Sequence, residues 1–355
     1  MKNATRWALQ AGLTIMCTGC LTDPELKLDY EGYEPEALSD GWQVSGAADE
    51  GLDPEMLEGI YRDFFREDGF PTARGLLVVR HGKLVAEAYA RDRADRERYH
   101  NVQSVAKSVT SLAAGIALDD GLLPSVDVPL FDLMPQHFDD DPRKRSLSLR
   151  HALTMQTGLA PYSDEDTGAF MYSDGSSVEK ILHQPLVSDP GTSFYYTDDS
   201  PQLVSAAVQT ATGRSLEAFA AERLFAPLGI TGWRWEHHGD GVTFGAIGLW
   251  LRPRDMARIG QMVLQGGTWQ NRRVVSEQWL EESMQIRANG DYGYYWWVYD
   301  EGRVIGAKGA GGQMIFIVPE LDLVVVMTCD SSSQSWLLSP GIGDLVSRIL
   351  QAVRD

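Results

Sequence analysis

The segments that read as β-strands lie at the two ends of this chain, and that separation limits the folds open to it. Near the front, Gly75-Leu-Leu-Val-Val-Arg80 and Leu84-Val-Ala-Glu-Ala-Tyr89 flank His81-Gly82-Lys83, the pattern of a β-hairpin with His81 in the turn. Strands return only late, at Tyr292–Tyr299, Arg303–Ala307, Met314–Val318 and Leu323–Thr328. Residues 119–240 read as helices and loops, among them a helix from Leu203 stopped by Gly213 and another over Leu216–Leu224. Further helices are expected from Asp53-Pro54-Glu55 to about Arg66, from Arg254 towards Gln265, and over Gly341–Val353. Such a chain implies an α/β (α+β) fold. Its antiparallel sheet is closed by distant segments, flanked by helices, and carries a mainly helical insertion.

Between the two strand groups stands Ser104-Val105-Ala106-Lys107, heading the apolar run Ser108–Leu118, in which Val109, Leu112, Ala113 and Ile116 share a helical face. A serine there meets free backbone N–H groups and a helix dipole that favour negative charge. Lys107, one turn on, presents its amine on the same face. An amine desolvated among apolar neighbours loses proton affinity and can act as a base, which makes Ser104 a candidate nucleophile. Four letters alone are a weak signal. A second copy, Ser177-Val178-Glu179-Lys180, reads as a helix start, because Ser176 and Glu179 have capping-box spacing. His237-His238-Gly239-Asp240 lacks the ligand spacing of a zinc hydrolase, and no Gly-x-Ser-x-Gly string occurs. No metal or organic cofactor is implied.

Met1 to Gly19 reads as an export signal, with Lys2 and Arg6 before an apolar stretch. Cys17-Thr18-Gly19-Cys20 resembles a bacterial lipoprotein cleavage box, with Cys17 where that pattern prefers Leu. The expectation is a signal over 1–20 with lipid on Cys20, a polar spacer over 21–50, and one domain over 51–355. That places the domain in the cell envelope, anchored to the outer membrane and facing the periplasm. Cys329 is then the domain's one thiol, so no internal disulfide is available, and its apolar run reads as burial. A net charge of -19 with no basic stripe argues against nucleic acid and leaves a small-molecule substrate as the expected partner.

Several strings in order carry a resemblance: Ser104–Ser111, Leu153–Gly158, Pro190–Asp198, Arg254–Arg258, Tyr292–Trp297 and Gly309–Gln313. Over most of residues 70–350 the chain resembles the penicillin-recognising serine hydrolases, in the branch of class C β-lactamases, DD-peptidases and esterases. It is most similar there to the esterases and 6-aminohexanoate-dimer hydrolases. The resemblance implies a β-lactamase/transpeptidase-like fold and an acyl-enzyme on Ser104. Tyr196-Thr197-Asp198 falls on the family's Tyr-x-Asn, making Tyr196 the partner base, its phenolate favoured by the Lys107 charge. Asp198 replaces the Asn. It either holds the Lys107 amine protonated or caps the following helix, and the sequence leaves both open.

The family's Lys-Thr-Gly or His-x-Gly falls on Ala307-Lys308-Gly309, and the missing first cation counts against β-lactam and DD-peptidase activity. The resemblance also implies an oxyanion hole from the backbone N–H groups of Ser104 and Ala310. It puts Asp198, Lys308, Gly309 and Gln313 around the substrate. Tyr294–Trp297 is expected as a strand, with one or two rings lining an apolar acyl pocket. The expected reaction is hydrolysis of short-chain carboxylic esters, with small amides second. The alternatives are a β-lactamase or DD-peptidase, and a non-catalytic envelope lipoprotein that keeps the fold for binding.

Overall fold

The early hairpin and the late strands close into one sheet. The computed structural model describes residues 26–66, 70–162, 170, 173–288, 290–331 and 342–354; the export signal and Cys20 lie outside them. The long elements are α1 (Pro54–Phe64), β1 (Ala73–Arg80), β2 (Lys83–Tyr89), α2 (Val105–Asp119), α3 (Asp199–Thr212), α4 (Pro253–Leu264), β3 (Trp297–Tyr299), β4 (Val304–Gly309), β5 (Gln313–Val318), β6 (Leu323–Cys329) and α5 (Ile342–Gln351). The six strands run β2-β1-β6-β5-β4-β3, each antiparallel to its neighbours. In the closing pair, Leu77 lies opposite Val326.

Both faces of this sheet are covered, which explains why its inner strands read as continuous apolar runs. Leu77, Val79, Ile315, Ile317, Val324 and Val326 pack towards α2 and α4. Leu76, Val78, Met314, Phe316, Val325 and Met327 pack with α1 and α5 on the other side. The β1–β2 turn has His81 at φ 49° and Gly82 at φ 74°, both left-handed, which suits the twist of a two-residue hairpin. Helix α2 is buried on all sides, where its spacing had suggested one buried face. Gly115 permits this, since a Cβ there would sit 2.1 Å from the Trp279 ring.

Two expectations need correction. The stretch Tyr292–Trp296 is no strand; only Trp297–Tyr299 pairs with β4. Tyr295 takes φ 65°, and two buried bonds hold the kink: the Ser108 hydroxyl donates to the Tyr295 carbonyl at 2.7 Å, and the Tyr295 hydroxyl donates to the Ala152 carbonyl at 2.9 Å. The second correction concerns residues 26–50, which are no free spacer. Strand β2 is an edge whose outer polar groups need partners. The segment supplies them, in bonds from Leu28 N to Ala90 O (2.7 Å), Glu87 N to Tyr33 O (2.7 Å) and Leu84 N to Gln43 O (2.9 Å). Tyr33 and Trp42 are buried beneath it.

Arg254 on α4 locks that strap in place. Its guanidinium donates to Glu87 (2.8 Å), Asp40 (2.9 Å) and the Glu36 carbonyl (2.8 Å). Arg254 and Glu87 are both buried. Arg254→Met would strand the Glu87 carboxylate in the interior, and breaking a buried pair this way costs about 3–5 kcal/mol. Denaturant unfolding should show that loss.

Candidate active site

The turn entering α2 is tight. Gln103 sits at φ 51°, steadied by its N–H donating to the Asn101 side chain at 3.0 Å, and Ser104 follows at the helix head. A non-glycine residue in this region is strained, and the strain falls one residue before the serine. The Ser104 hydroxyl is not spent as a helix cap. Instead it accepts a hydrogen bond from Lys107 Nζ at 2.9 Å.

Lys107 is 1% exposed and its ammonium is the hub of the site. It donates to Asp198 Oδ1 at 2.6 Å and to the Ala246 carbonyl at 3.4 Å, and lies 4.9 Å from the centre of the Tyr196 ring. Burial alone would push the amine down; the negative charge of Asp198, then Tyr196, outweighs it and holds the amine above its ordinary value. Lys107 is therefore a cation, not a free base. Asp198 heads α3 without capping it. Of the two roles left open for it, the structure assigns the ion pair.

Tyr196 is brought to the same point by the chain preceding α3. Its ring stacks on Trp297 with centroids 5.8 Å apart and meets Tyr292 edge-on at 5.9 Å. Of the aromatic run, Tyr294, Tyr295 and Trp296 are core residues, and Trp297 is the one that meets the site. Strand β3 pairs only with Val304–Gly306, so beyond it the outer edge of β4 has no strand partner among the described residues. There the chain approaches the nucleophile turn: a Cβ on Gly309 would lie 2.4 Å from the Val102 carbonyl oxygen. Glycine is required for that contact, and it sets Ala310 at the start of the following turn.

The other expected positions divide. Ala307 is fully buried, so no polar group stands at that place. Lys308 is half-buried, donates to the Tyr299 hydroxyl at 2.8 Å, and lies 5.0 Å from the Trp297 ring centre. Gln313 is not a substrate contact. Its amide donates to the Cys329 carbonyl (2.7 Å) and accepts from the Cys329 N–H (3.1 Å), so it clips β5 to β6. Cys329 itself is buried, its thiol pushed up to about 12 by burial.

The second Ser-x-x-Lys is structural, as its capping pattern suggested. Ser177 is fully buried and donates to Asp240 at 2.7 Å, while Lys180 turns instead to Ser173 at 2.6 Å. His238 is buried against the Phe170 carbonyl, and the described residues hold no cluster suited to a metal. Sequence reasoning missed Ala246. Its signal was Gly245, where a Cβ would lie 2.0 Å from the Pro201 carbonyl oxygen, so glycine lets the loop press against α3. Thr110 on α2 ties that loop down through the Gly245 carbonyl at 2.7 Å.

The sequence matches the Beta-lactamase family over residues 57–336. It is 28% identical over 318 residues to a 6-aminohexanoate-dimer hydrolase of Paenarthrobacter ureafaciens, covering 78% of each chain. It is 28% identical over 194 residues to a lovastatin esterase of Penicillium rubens, covering 48% of this chain and 47% of that one. Among solved structures, a family VIII carboxylesterase superposes with a TM-score of 0.67 at 14% identity, over 85% of this chain and 98% of that one.

Proposed function

Because the chain belongs to the Beta-lactamase family, whose members similar to it include an esterase and an amide hydrolase, we propose that it is a serine hydrolase working through an acyl-enzyme on Ser104. Short-chain carboxylic esters are the preferred substrates and small amides come second. The observation that carries the reading is the buried Lys107 ammonium, shared between Ser104 Oγ at 2.9 Å and Asp198 at 2.6 Å. A serine merely capping a helix would not need a buried cation paired to a carboxylate beside it, because burying such a pair is costly.

Ser104 Oγ attacks the carbonyl, and its proton passes to Tyr196. Tyr196 takes that proton as the phenolate and becomes the phenol, while Lys107 stays cationic and favours the serine alkoxide as charge develops on it. The N–H groups of Ser104 and Ala310 take the oxyanion. Tyr196 then returns the proton to the leaving group. Water repeats the sequence to free the acid. The proposal includes an envelope location through residues 1–20 and Cys20.

The role of Asp198 gives a signed pH effect. With its charge removed in Asp198→Asn, the largest influence opposing burial is lost and the proton affinity of Lys107 falls. If the reaction needs the cation, the alkaline limb of kcat/KM moves to lower pH in the variant. Were the neutral amine the base, the same change would raise activity near neutrality instead. Initial rates from pH 6 to 10 with a 4-nitrophenyl ester distinguish the two. A chromogenic cephalosporin run beside the ester separates ester from β-lactam hydrolysis. Ester turnover without cephalosporin turnover is expected, since the buried methyl of Ala307 offers no charge to a β-lactam carboxylate.

A further inference from the structure

The strap enters the fold at the end of the sheet that carries Ser104. Leu28 N donates to the Ala90 carbonyl at 2.7 Å, and Ala90 N donates to the Arg74 carbonyl at 2.7 Å. Two residues before Arg74, the Thr72 hydroxyl donates to the Gly311 carbonyl at 3.2 Å, in the turn that Ala310 begins. Strands β2 and β4 are four strand steps apart, about 19 Å. The turns after Arg80 and Val318 lie at the other end, a strand length of about 25 Å away. Six residue steps separate Cys20 from Leu26, and an extended chain covers about 20 Å in six steps. A lipid on Cys20 would therefore hold the active-site end of the sheet, and not the far end, against a bilayer.

The mouth of the site carries the apolar surface that such a position needs. Val187 is 70% exposed and Tyr195 52%, and Tyr162 and Ile286 are exposed as well. Each sits close to the reacting groups. Tyr195 adjoins Tyr196, and Tyr162 N donates to Asp199, next to Asp198, at 2.6 Å. Ile286 precedes Arg287, whose N–H donates to the carbonyl of Tyr292, the ring that meets Tyr196 edge-on. Val187 N donates to the Gly158 carbonyl at 2.9 Å, three residues beyond Met155, whose carbonyl accepts the Tyr195 N–H. Single exposed apolar side chains are ordinary, but four round one opening mark a contact surface. A net charge of -19 draws nothing from anionic headgroups, so the contact is apolar, with tyrosines suited to the headgroup boundary. A short tether strengthens so small a contact by keeping it at high local concentration. We propose that this rim rests on the phospholipid bilayer that anchors Cys20, and that the site takes its ester from there. The substrate is then a short acyl group on an apolar alcohol that partitions into the membrane. The inference rests on the proposed hydrolysis for its reaction, and on the proposed lipid at Cys20 for its orientation.

The test uses the whole protein, purified from membranes and reconstituted into phosphatidylcholine vesicles. Val187→Cys places a nitrobenzoxadiazole label on the rim, and Glu320→Cys places it at the far end of the sheet, in the turn Pro319–Leu321. Burial of Cys329 leaves the new thiol as the reactive one. The rim label should shift to the blue and be quenched by nitroxide-bearing lipid, and the far label should do neither. Activity is read on hexadecyl butyrate in the vesicles and ethyl butyrate in the water around them. Val187→Glu combined with Ile286→Glu should lower kcat/KM for hexadecyl butyrate about 10- to 100-fold, the worth of burying one or two apolar side chains. Turnover of ethyl butyrate should not change. Equal quenching at both positions, quenching at neither, or quenching at the far end alone overturns the inference. So does a blue shift at the rim without quenching, as burial against a second copy would give. A Cys20 without lipid in the mass spectrum, or an equal loss on both esters, also overturns it. Each of these results leaves the hydrolase reading intact. If the wild type hydrolyses neither ester, that reading fails first, and the quenching pattern still decides which face meets the bilayer.

Discussion

Ser104→Ala should remove ester hydrolysis almost completely, lowering kcat by about 10⁴- to 10⁶-fold, the range seen when a catalytic serine is deleted. The protein should stay folded. The Ser104 hydroxyl makes no capping bond, so its loss forfeits none of the roughly 1 kcal/mol a capping serine contributes. What it does lose is the acceptor for Lys107 Nζ, which keeps Asp198 and the Ala246 carbonyl as partners. Rates with a 4-nitrophenyl ester, beside a thermal unfolding curve, separate chemistry from folding. A variant retaining a tenth of the activity would rule out Ser104 as the nucleophile.

Tyr196→Phe should cost about 10²- to 10⁴-fold in kcat, as removing a general base does. The change deletes one oxygen and keeps the ring, so the stack on Trp297 and the contact with Tyr292 survive. The loss should also depend on the leaving group. A 4-nitrophenolate departs without a proton, whereas a simple alkoxide needs one. The variant should therefore lose more on an ethyl ester than on a 4-nitrophenyl ester with the same acyl group. Equal losses would move Tyr196 from proton transfer to mere support of the pocket. Asp198, the larger of the influences that oppose burial at Lys107, remains in the variant and keeps the amine a cation, so Lys107 does not take over as base near neutrality.

What the sequence made legible was what repeats along a chain or sits close within it. The hairpin turn at His81-Gly82, the strand run Leu323–Cys329 and the head of α2 each follow from local pattern, and each is where it was expected. Ser104 and Lys107 were paired by helical spacing alone. Tyr196 and Asp198 came from the family resemblance, and which of two roles Asp198 plays depends on where α3 packs, a fact no local pattern holds.

The misreadings share a cause: tertiary bonds overrode local preference. Tyr292–Trp296 has strand composition, but Ser108 and Ala152, both distant in sequence, hold Tyr295 in a left-handed kink. Residues 26–50 look like a spacer because polar, proline-containing chain resembles one, whereas β2 needs its edge covered and Arg254 supplies the clamp. Gln313 shows the same. Its side chain copies a backbone pair to Cys329, which cannot be seen until β5 and β6 lie side by side.

The most direct measurement is where a covalent serine probe lands. Purified protein would be treated with a fluorophosphonate, digested with trypsin and mapped by mass spectrometry. The tryptic peptide Tyr99–Lys107 contains a single serine, Ser104, so a mass shift on it identifies the site without further dissection. The adduct is expected on that peptide, absent in Ser104→Ala and formed in step with loss of ester turnover. An adduct elsewhere, such as on the peptide carrying Ser177, or turnover that persists with Ser104 fully modified, would contradict an acyl-enzyme on Ser104.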